Sequence, residues 1–359
     1  MSDMELKSVI TDILTKAVQA PSGDNSQPWR FEARDNVIDI FNLPEKDNPI
    51  LNFEQRGSYV AHGALIENIS LLSAACGLSA AIAYFPDYSR ATLIARIRLS
   101  AGLNSKSDSL AGQIEKRHTN RKAYHDAPLT NAERSTLQNA IGSEASGKVF
   151  LSFAGEPARK TAIAAAASNI EQVILEHREL HGLLFKDVCW TAAEERSKHS
   201  GLYLASMEFA LPQKIVFKLA SYWPVIKVFN YFGLSRFIAS EDAKLYSSGG
   251  GFGALLVADP KPEDFLLAGR ALERVWLTAA REGLSVQPVI ALMFAAMRPD
   301  GDLKKYFCDR HIKIIRNGEK AINDSLRAGD KTVAMLFRIG HADPPSAYST
   351  RKIPDIRFL

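Results

Sequence analysis

The sequence predicts an α+β fold made of two fused copies of one unit, with a helical insertion in the second copy. Three observations carry this. Strand-like alternation and long apolar helical runs recur in both halves of the chain. Two of the long helices repeat each other at an offset of 206 residues. Between about residues 182 and 248 the pattern gives way to dense aromatic stretches interrupted by lysines. The expected division is a first half over residues 1–110 and a second over 111–359. A chain of 359 residues can bury a core in each.

In chain order, Val9, Ile10, Ile13, Leu14, Ala17 and Val18 mark an amphipathic first helix. Pro21 stops it, and Ser22, Gly23, Asp24, Asn25, Ser26 and Gln27 are turn-forming types with exposable N–H groups. The side-chain amides of Asn25 and Gln27 both donate and accept. The loop can therefore grip a planar, hydrogen-bonding group, or it can simply join helix to strand with Trp29 in the core. A strand around Val37, Ile38 and Ile40 follows, then a long apolar helix over 57–76 closed by Gly77, and strands over 80–84 and 92–99. The polar residues 100–109 read as a linker.

The second half opens on a basic stretch, residues 114–124. Thr130 and Glu133 then form a capping box for a new helix. A strand over 149–153, an alanine-rich helix over 157–175, a strand over 254–258, a helix over 263–282 stopped by Gly283, and a strand over 333–339 complete the unit. A turn is expected at Gly340. The glycines between Ser247 and Gly253 precede a strand rather than opening a helix, so they indicate close backbone packing and not a dinucleotide site. Residues 209–237 are too broken by Lys214, Lys218, Lys227 and Pro224 to cross a membrane. They read as a helical lid over a pocket, with an interfacial helix at a membrane or partner as the alternative.

The repeat is specific. Gly63, Glu67, Leu71, Ala74, Gly77, Leu78 and Ser79 fall on Gly269, Glu273, Leu277, Ala280, Gly283, Leu284 and Ser285. Chance agreement of two Ala/Leu-rich helices accounts poorly for the shared Gly-Leu-Ser ending.

Composition narrows the function classes. Hydrophobic content of 46% and charged content of 23% are those of a soluble globular protein. A net charge of +4 without lysine-arginine runs argues against nucleic acid. Cys76, Cys189 and Cys308 are too widely spaced for a zinc motif or a disulfide framework. With no apolar signal region in residues 1–7, a reducing, cytoplasmic setting is expected. No nucleophile elbow, Walker loop or His-Glu-x-x-His pattern is present, so no catalytic side chain and no metal are assigned.

The string Pro-Ser-Gly-x-Asn-x-Gln-Pro-Trp-x-Phe starting at Pro21 resembles the flavin-contacting loop of the nitroreductase superfamily. Arg117, Thr119, Arg121 and Tyr124 lie in a stretch similar to that family's basic motif, with Thr119 in place of the usual serine. The family order is basic motif, then loop. Here the first half carries only the loop and the second only the basic motif, an arrangement that resembles the internally duplicated, Acg-like branch. The resemblance implies a nitroreductase-like fold with an antiparallel-type sheet flanked by helices. It also implies one complete FMN site shared by the halves, and a monomer that imitates a dimer.

On that resemblance Arg117 and Arg351 hold the FMN phosphate, and Thr119 adds a hydroxyl. Arg121 sits near the ring's N1 side, and His118 is counted with these residues. Pro21, Ser22, Gly23, Asn25 and Gln27 line the ring and ribityl chain, while the turn Gln287, Pro288, Val289, Ile290 meets flavin N5. The implied activity is an FMN-dependent oxidoreductase. NADH or NADPH reduces the flavin and leaves, and a quinone, nitroaromatic or similar small-molecule acceptor then takes its place. The rival is an FMN-binding or sequestering protein with little turnover. A third reading is a redox tailoring enzyme whose insertion forms a substrate pocket.

Overall fold

The apolar periodicity of the N-terminal segment produces α1 (Asp3–Ala17), which buries Ile10, Ile13, Leu14 and Ala17. The structure is a computed structural model that describes residues 3–102 and 109–359, so most of the expected linker lies outside the described residues. Past the Pro21 loop come β1 (Trp29–Arg34) and β2 (Val37–Asn42). The sequence reading left β1 inside the loop motif, although Trp29, Phe31 and Ala33 alternate inward along it. Next is α2 (Arg56–Ala75), which ends where Gly77 takes φ +74°, a conformation that favours glycine. The strands β3 (Leu78–Tyr84) and β4 (Leu93–Ala101) close the first half.

The helix α3 (Asn131–Asn139) has its expected capping box, with the Glu133 amide donating to Thr130 Oγ1 at 3.2 Å. It is followed by β5 (Val149–Ala154) and α4 (Pro157–Glu176). The insertion comprises α5 (Arg178–Lys186), β6 (Val188–Cys189), α6 (Ala192–Lys198), β7 (Leu202–Tyr203), α7 (Leu211–Ala220), α8 (Trp223–Tyr231) and α9 (Leu234–Tyr246). Then come β8 (Gly251–Val257), α10 (Pro262–Arg281) and β9 (Ser285–Pro288). The chain finishes with α11 (Ala291–Ala296), α12 (Asp300–Tyr306), α13 (Asp309–Leu326), β10 (Thr332–Gly340) and β11 (Ile356–Phe358). The sequence reading assigned neither α11, α12 and α13 nor β11. The helical stripe of His311, Ile315, Ile322 and Leu326 accounts for α13.

Two large sheets result, one ordered β11-β1-β2-β4-β3 and the other β5-β8-β10-β9, with β6 and β7 paired in parallel as a small third. Leaving β11 aside, the order of strands along the chain and across the sheet is the same in both. All pairings within each four-strand set are antiparallel, as expected, while β11 adds to β1 in parallel. The C-terminal tail of the second half thus completes the sheet of the first. Gly340 is the last residue of β10 rather than a free turn, and a Cβ there would lie 2.7 Å from the Gly250 amide nitrogen. The glycines before and within β8 do mark close packing: a Cβ on Gly253 would lie 2.5 Å from the Phe337 ring.

Between the sheets, α2 and α10 cross at Gly63 and Gly269. A Cβ on Gly63 would stand 2.0 Å from the Leu266 carbonyl oxygen, and one on Gly269 would stand 2.0 Å from that of Val60. Val60 and Leu266 are themselves related by the 206-residue offset. Each helix therefore meets the other through equivalent positions. Beside the crossing, Glu67 is buried and accepts from Arg270 Nε at 2.7 Å and Arg274 Nη1 at 2.9 Å.

The insertion has two parts. Residues 195–208 fold back over the Pro21 loop and the C-terminal tail, as detailed below. The aromatic helices α7, α8 and α9 dock by Ala220, Ile226, Trp223, Leu234 and Ile238 around Leu175, and leave Leu211, Ile215, Leu219, Phe229, Tyr231 and Phe237 exposed. Among the described residues no helix is long and apolar enough to cross a membrane, no cluster could hold a metal, and the three cysteines are free.

Candidate functional site

The loop after α1 is strained. Asp24, Asn25 and Gln27 have φ of +47°, +56° and +52°, left-handed conformations that side chains usually avoid. Such strain persists only where surrounding bonds over-determine it. Here the Gln27 amide donates to Ser22 Oγ at 3.0 Å, and Ser26 Oγ donates to Asp47 Oδ1 at 3.1 Å. Gln27 Nε2 donates to the carbonyls of His199 at 2.7 Å and Asn25 at 3.2 Å, while its Oε1 accepts from the Lys352 amide at 2.9 Å. Asn25 Nδ2 reaches the Thr350 carbonyl at 3.1 Å. The tail residue Thr350 is in turn bound by Glu195 and by His199 Nδ1.

Gln27 has three of its four hydrogen-bonding positions committed to protein, so it ties the loop to the tail. Asn25 retains a buried Oδ1 without a partner. Pro21, Ser22 and Gly23 are half-buried or exposed along the same loop.

The basic stretch reaches the site because it is zipped onto β9. Thr119 bridges to Val286, the Asn120 amide donates to the Val286 carbonyl at 3.1 Å, and Asn120 Nδ2 donates to Ser285 Oγ at 2.9 Å. Arg117 then turns inward and is 3% exposed. Its Nη2 donates to the Gln19 carbonyl at 2.6 Å, its guanidinium lies 4.4 Å from the Trp276 ring centre, and its Nε stands 3.4 Å from Glu273 Oε1. These partners place Arg117 beneath the loop as a buttress.

Arg351 lies close enough for Arg117 to repel it. Burial first, and that repulsion second, press its pKa down to about 9, which still leaves it charged at neutral pH. Its Nη1 donates only to the Ser349 and Thr350 carbonyls, and its Nε has no partner. Both cations thus face Glu273, and Glu195 also acts on Arg351; burial raises the Glu273 carboxyl to about 7 against the pull of Arg117. His118 packs its ring 4.2 Å from that of Tyr348, and burial plus the two arginines push its pKa down to about 4. It is neutral at physiological pH.

Arg121 donates to the Ser206 carbonyl at 3.2 Å and feels Tyr246, Asp24, Tyr124 and Glu208. Asp24 is exposed at the surface, yet surrounding protein raises its carboxyl to about 6, helped by Asp47 and Asp187. Glu171 on α4 and Asp242 on α9 are also half-exposed, and enclosure by protein raises both carboxyls.

Within β9, which takes in Gln287 and Pro288 of the expected turn, the Gln287 side-chain oxygen Oε1 accepts from Arg338 Nε at 2.6 Å; just past it the Val289 amide donates to the Leu336 carbonyl at 2.9 Å. Pro288 has no N–H, which leaves Ile290 as the turn's candidate donor. Arg338 went unassigned in the sequence, although a cation inside an otherwise apolar strand was the available signal. It is wholly buried, donates to the Lys122 and Leu245 carbonyls, and stacks 4.0 Å from the Tyr124 ring centre. His199, Glu195 and Thr350 were missed too, because nothing local distinguishes them.

The raised carboxyls give a signed pH prediction. A group that holds its proton more tightly when folded loses stability as pH rises from its unfolded pKa to its folded one. Glu273 and the Glu171–Asp242 pair act in that sense up to and beyond neutrality. His62 and His118, both held down to about 4, act oppositely, but only below the ordinary histidine value of 6.5. Stability should therefore fall between about pH 6.5 and 8, by on the order of 1 kcal/mol, and Glu171→Gln should shrink the fall. Urea midpoints at the two pH values check this; a midpoint that climbs toward pH 8 contradicts it.

Comparison with known proteins follows the geometry. No family model matches the chain. A Mycobacterium tuberculosis protein named "Uncharacterized protein MT1398" is 24% identical over 340 residues, covering 94% of this chain and 46% of that one. Another from the same species, named "Putative NAD(P)H nitroreductase acg", is 29% identical over 209 residues, 55% of this chain and 60% of the other. The chain is thus similar in sequence to proteins named putative NAD(P)H nitroreductases. It spans about half the length of the curated relatives it matches. Among solved structures, a nitroreductase from Bacteroides fragilis with bound FMN aligns over 68% of this chain and 94% of that one, at 10% identity and a TM-score of 0.33. The NfnB nitroreductase from Mycobacterium smegmatis, in complex with NADPH, aligns over 64% and 86%, at 13% identity and a TM-score of 0.36. Superpositions that loose carry no argument about this chain.

Proposed function

We propose that the chain is an FMN-dependent oxidoreductase of nitroreductase type, built as two copies of one α+β unit that share a single flavin site. The observation that carries the reading is the meeting of a strained, asparagine-bearing loop from the first half with two close-set arginines of the second. Arg117 and Arg351 face Glu273, with Glu195 also acting on Arg351; both arginine Nε atoms lack hydrogen-bond partners, and Asn25 Oδ1 is likewise unused. Those unused donors and that unused acceptor fit a phosphorylated, planar cofactor.

In this reading Arg351 supplies the exposed part of the phosphate contact, with Arg117 behind it raising the local positive potential. Thr119 adds its hydroxyl. Arg121 provides fixed positive charge beside Asp24, and Asn25 and the Ile290 amide address the ring edge. Bound FMN would supply two-electron redox chemistry between NADH or NADPH and a conjugated acceptor such as a quinone or nitroaromatic. The residues around it position the ring and limit water.

Flavin retention tests the site without relying on turnover. Wild-type protein should bind one FMN per chain, and Arg351→Ala should weaken that binding at least about ten-fold in a fluorescence titration. Two flavins per chain would end the single-site reading. Anaerobic mixing with NADH and NADPH tests the activity, because a working reductase bleaches the absorbance near about 450 nm. A second reading, a flavin-holding protein with little turnover, draws on the cover formed over the loop by His199 and Glu195. A yellow protein that neither nucleotide bleaches would favour it.

A further inference from the structure

More than half of the strongly exposed large apolar side chains among the described residues lie between Leu211 and Phe237. On α7, Leu211, Ile215 and Leu219 recur at helical spacing, and on α8 the tips Phe229, Tyr231 and Phe232 stand out, the last two 88% and 78% exposed. The opposite faces are the ones that dock: Phe217 packs on Trp190 and Phe209, Ile226 is fully buried, and Asn230 ties α8 to the Leu175 carbonyl. The outward face is therefore not misfolded core. It is a second apolar face on helices that already have one packed.

Its charge identifies the occupant. Residues 209–240 contain Lys214, Lys218, Lys227 and Arg236 and no aspartate or glutamate. A second copy of the chain would bring the same positive charge against itself, which disfavours a twofold pairing through this face. Basic groups interleaved with Phe, Leu and Tyr, on helices of 10, 9 and 13 residues, are too short to span a bilayer but suited to lie in its headgroup region. Tyrosine is at home there, with an apolar ring and a polar hydroxyl.

We propose that α7, α8 and the start of α9 form a docking surface for anionic lipid bilayers, so that the protein binds membranes peripherally. Phe229, Tyr231 and Phe232 enter the acyl boundary while Lys227 and Arg236 meet lipid phosphates. This docking is independent of any redox activity.

The test is sedimentation of the full chain with vesicles of phosphatidylcholine, alone or with about one-third phosphatidylglycerol. Binding should appear with the anionic vesicles and fall as salt rises. Tyr231→Ser/Phe232→Ser should reduce partitioning at least about ten-fold, with an unchanged melting curve because neither side chain is buried. Lys227→Glu/Arg236→Glu should reduce it for anionic vesicles in particular. Absence of binding to anionic vesicles, or binding that survives both variants, overturns the proposal. So does a concentration-dependent dimer that the Tyr231→Ser/Phe232→Ser change dissolves.

Discussion

Gly63→Ala and Gly269→Ala are each expected to destabilise the protein by roughly 3 kcal/mol or more, an effect far larger than a glycine-to-alanine change usually produces inside a helix. Elsewhere in a helix interior alanine would be favoured over glycine by about 1 kcal/mol, so the sign must be decided by packing. The added methyl would stand 2.0 Å from a backbone carbonyl oxygen of the facing helix. A carbonyl in a helix cannot swing aside as a side-chain tip can. The helices would have to separate along their whole crossing, and both flank the buried Glu67 cluster and the cores on either side. Urea denaturation of the two single variants and the double checks this. The equivalence of the two sites adds a sharper expectation: the double should cost less than the two singles combined, because the first methyl already forces the helices apart. Variants as stable as the parent would mean that the crossing is looser than the distances indicate.

How much of this was legible follows from which residues carry it. The glycine pair was visible as two members of a repeat, but its contact was not, since sequence offset says nothing of which copies touch. Helices with caps and stops were readable: Thr130 with Glu133, Gly77 and Gly283 each end or begin a helix by local chemistry alone. The strand β11 was not readable, because three residues after a proline-containing tail have no period of their own and become a strand only by pairing with β1. The loop and basic stretch announced themselves as motifs, yet the motif did not reveal the direction of each side chain. Gln27 is spent on His199 and Lys352, and Arg338, marked only as a cation in an apolar strand, organises Tyr124 and Gln287. Long-range partners decide such roles, and their identity lies outside any local window.

Arg117 concentrates that lesson into the second large expectation. Arg117→Ala should cost about 3 kcal/mol of stability, chiefly because it strands Glu273, which has no exposed surface, and opens a void against Trp276. Two effects temper the cost. Glu273, already raised to about 7, can take up a proton, and Arg351 is relieved of a repelling neighbour. Neither restores the lost ring contact or the bond to the Gln19 carbonyl, so destabilisation wins. Arg117→Met/Glu273→Leu removes both charges while keeping volume, and should recover most of the stability, since a buried ion pair is often matched by apolar packing. The flavin reading then separates from the structural one: the recovered double variant should bind FMN more weakly than the parent, by losing the positive field behind Arg351. A stable Arg117→Ala protein that simply loses flavin would return Arg117 to the direct phosphate role implied by its motif. A double variant that folds and binds FMN as the parent does would confine Arg117 to holding the loop in place.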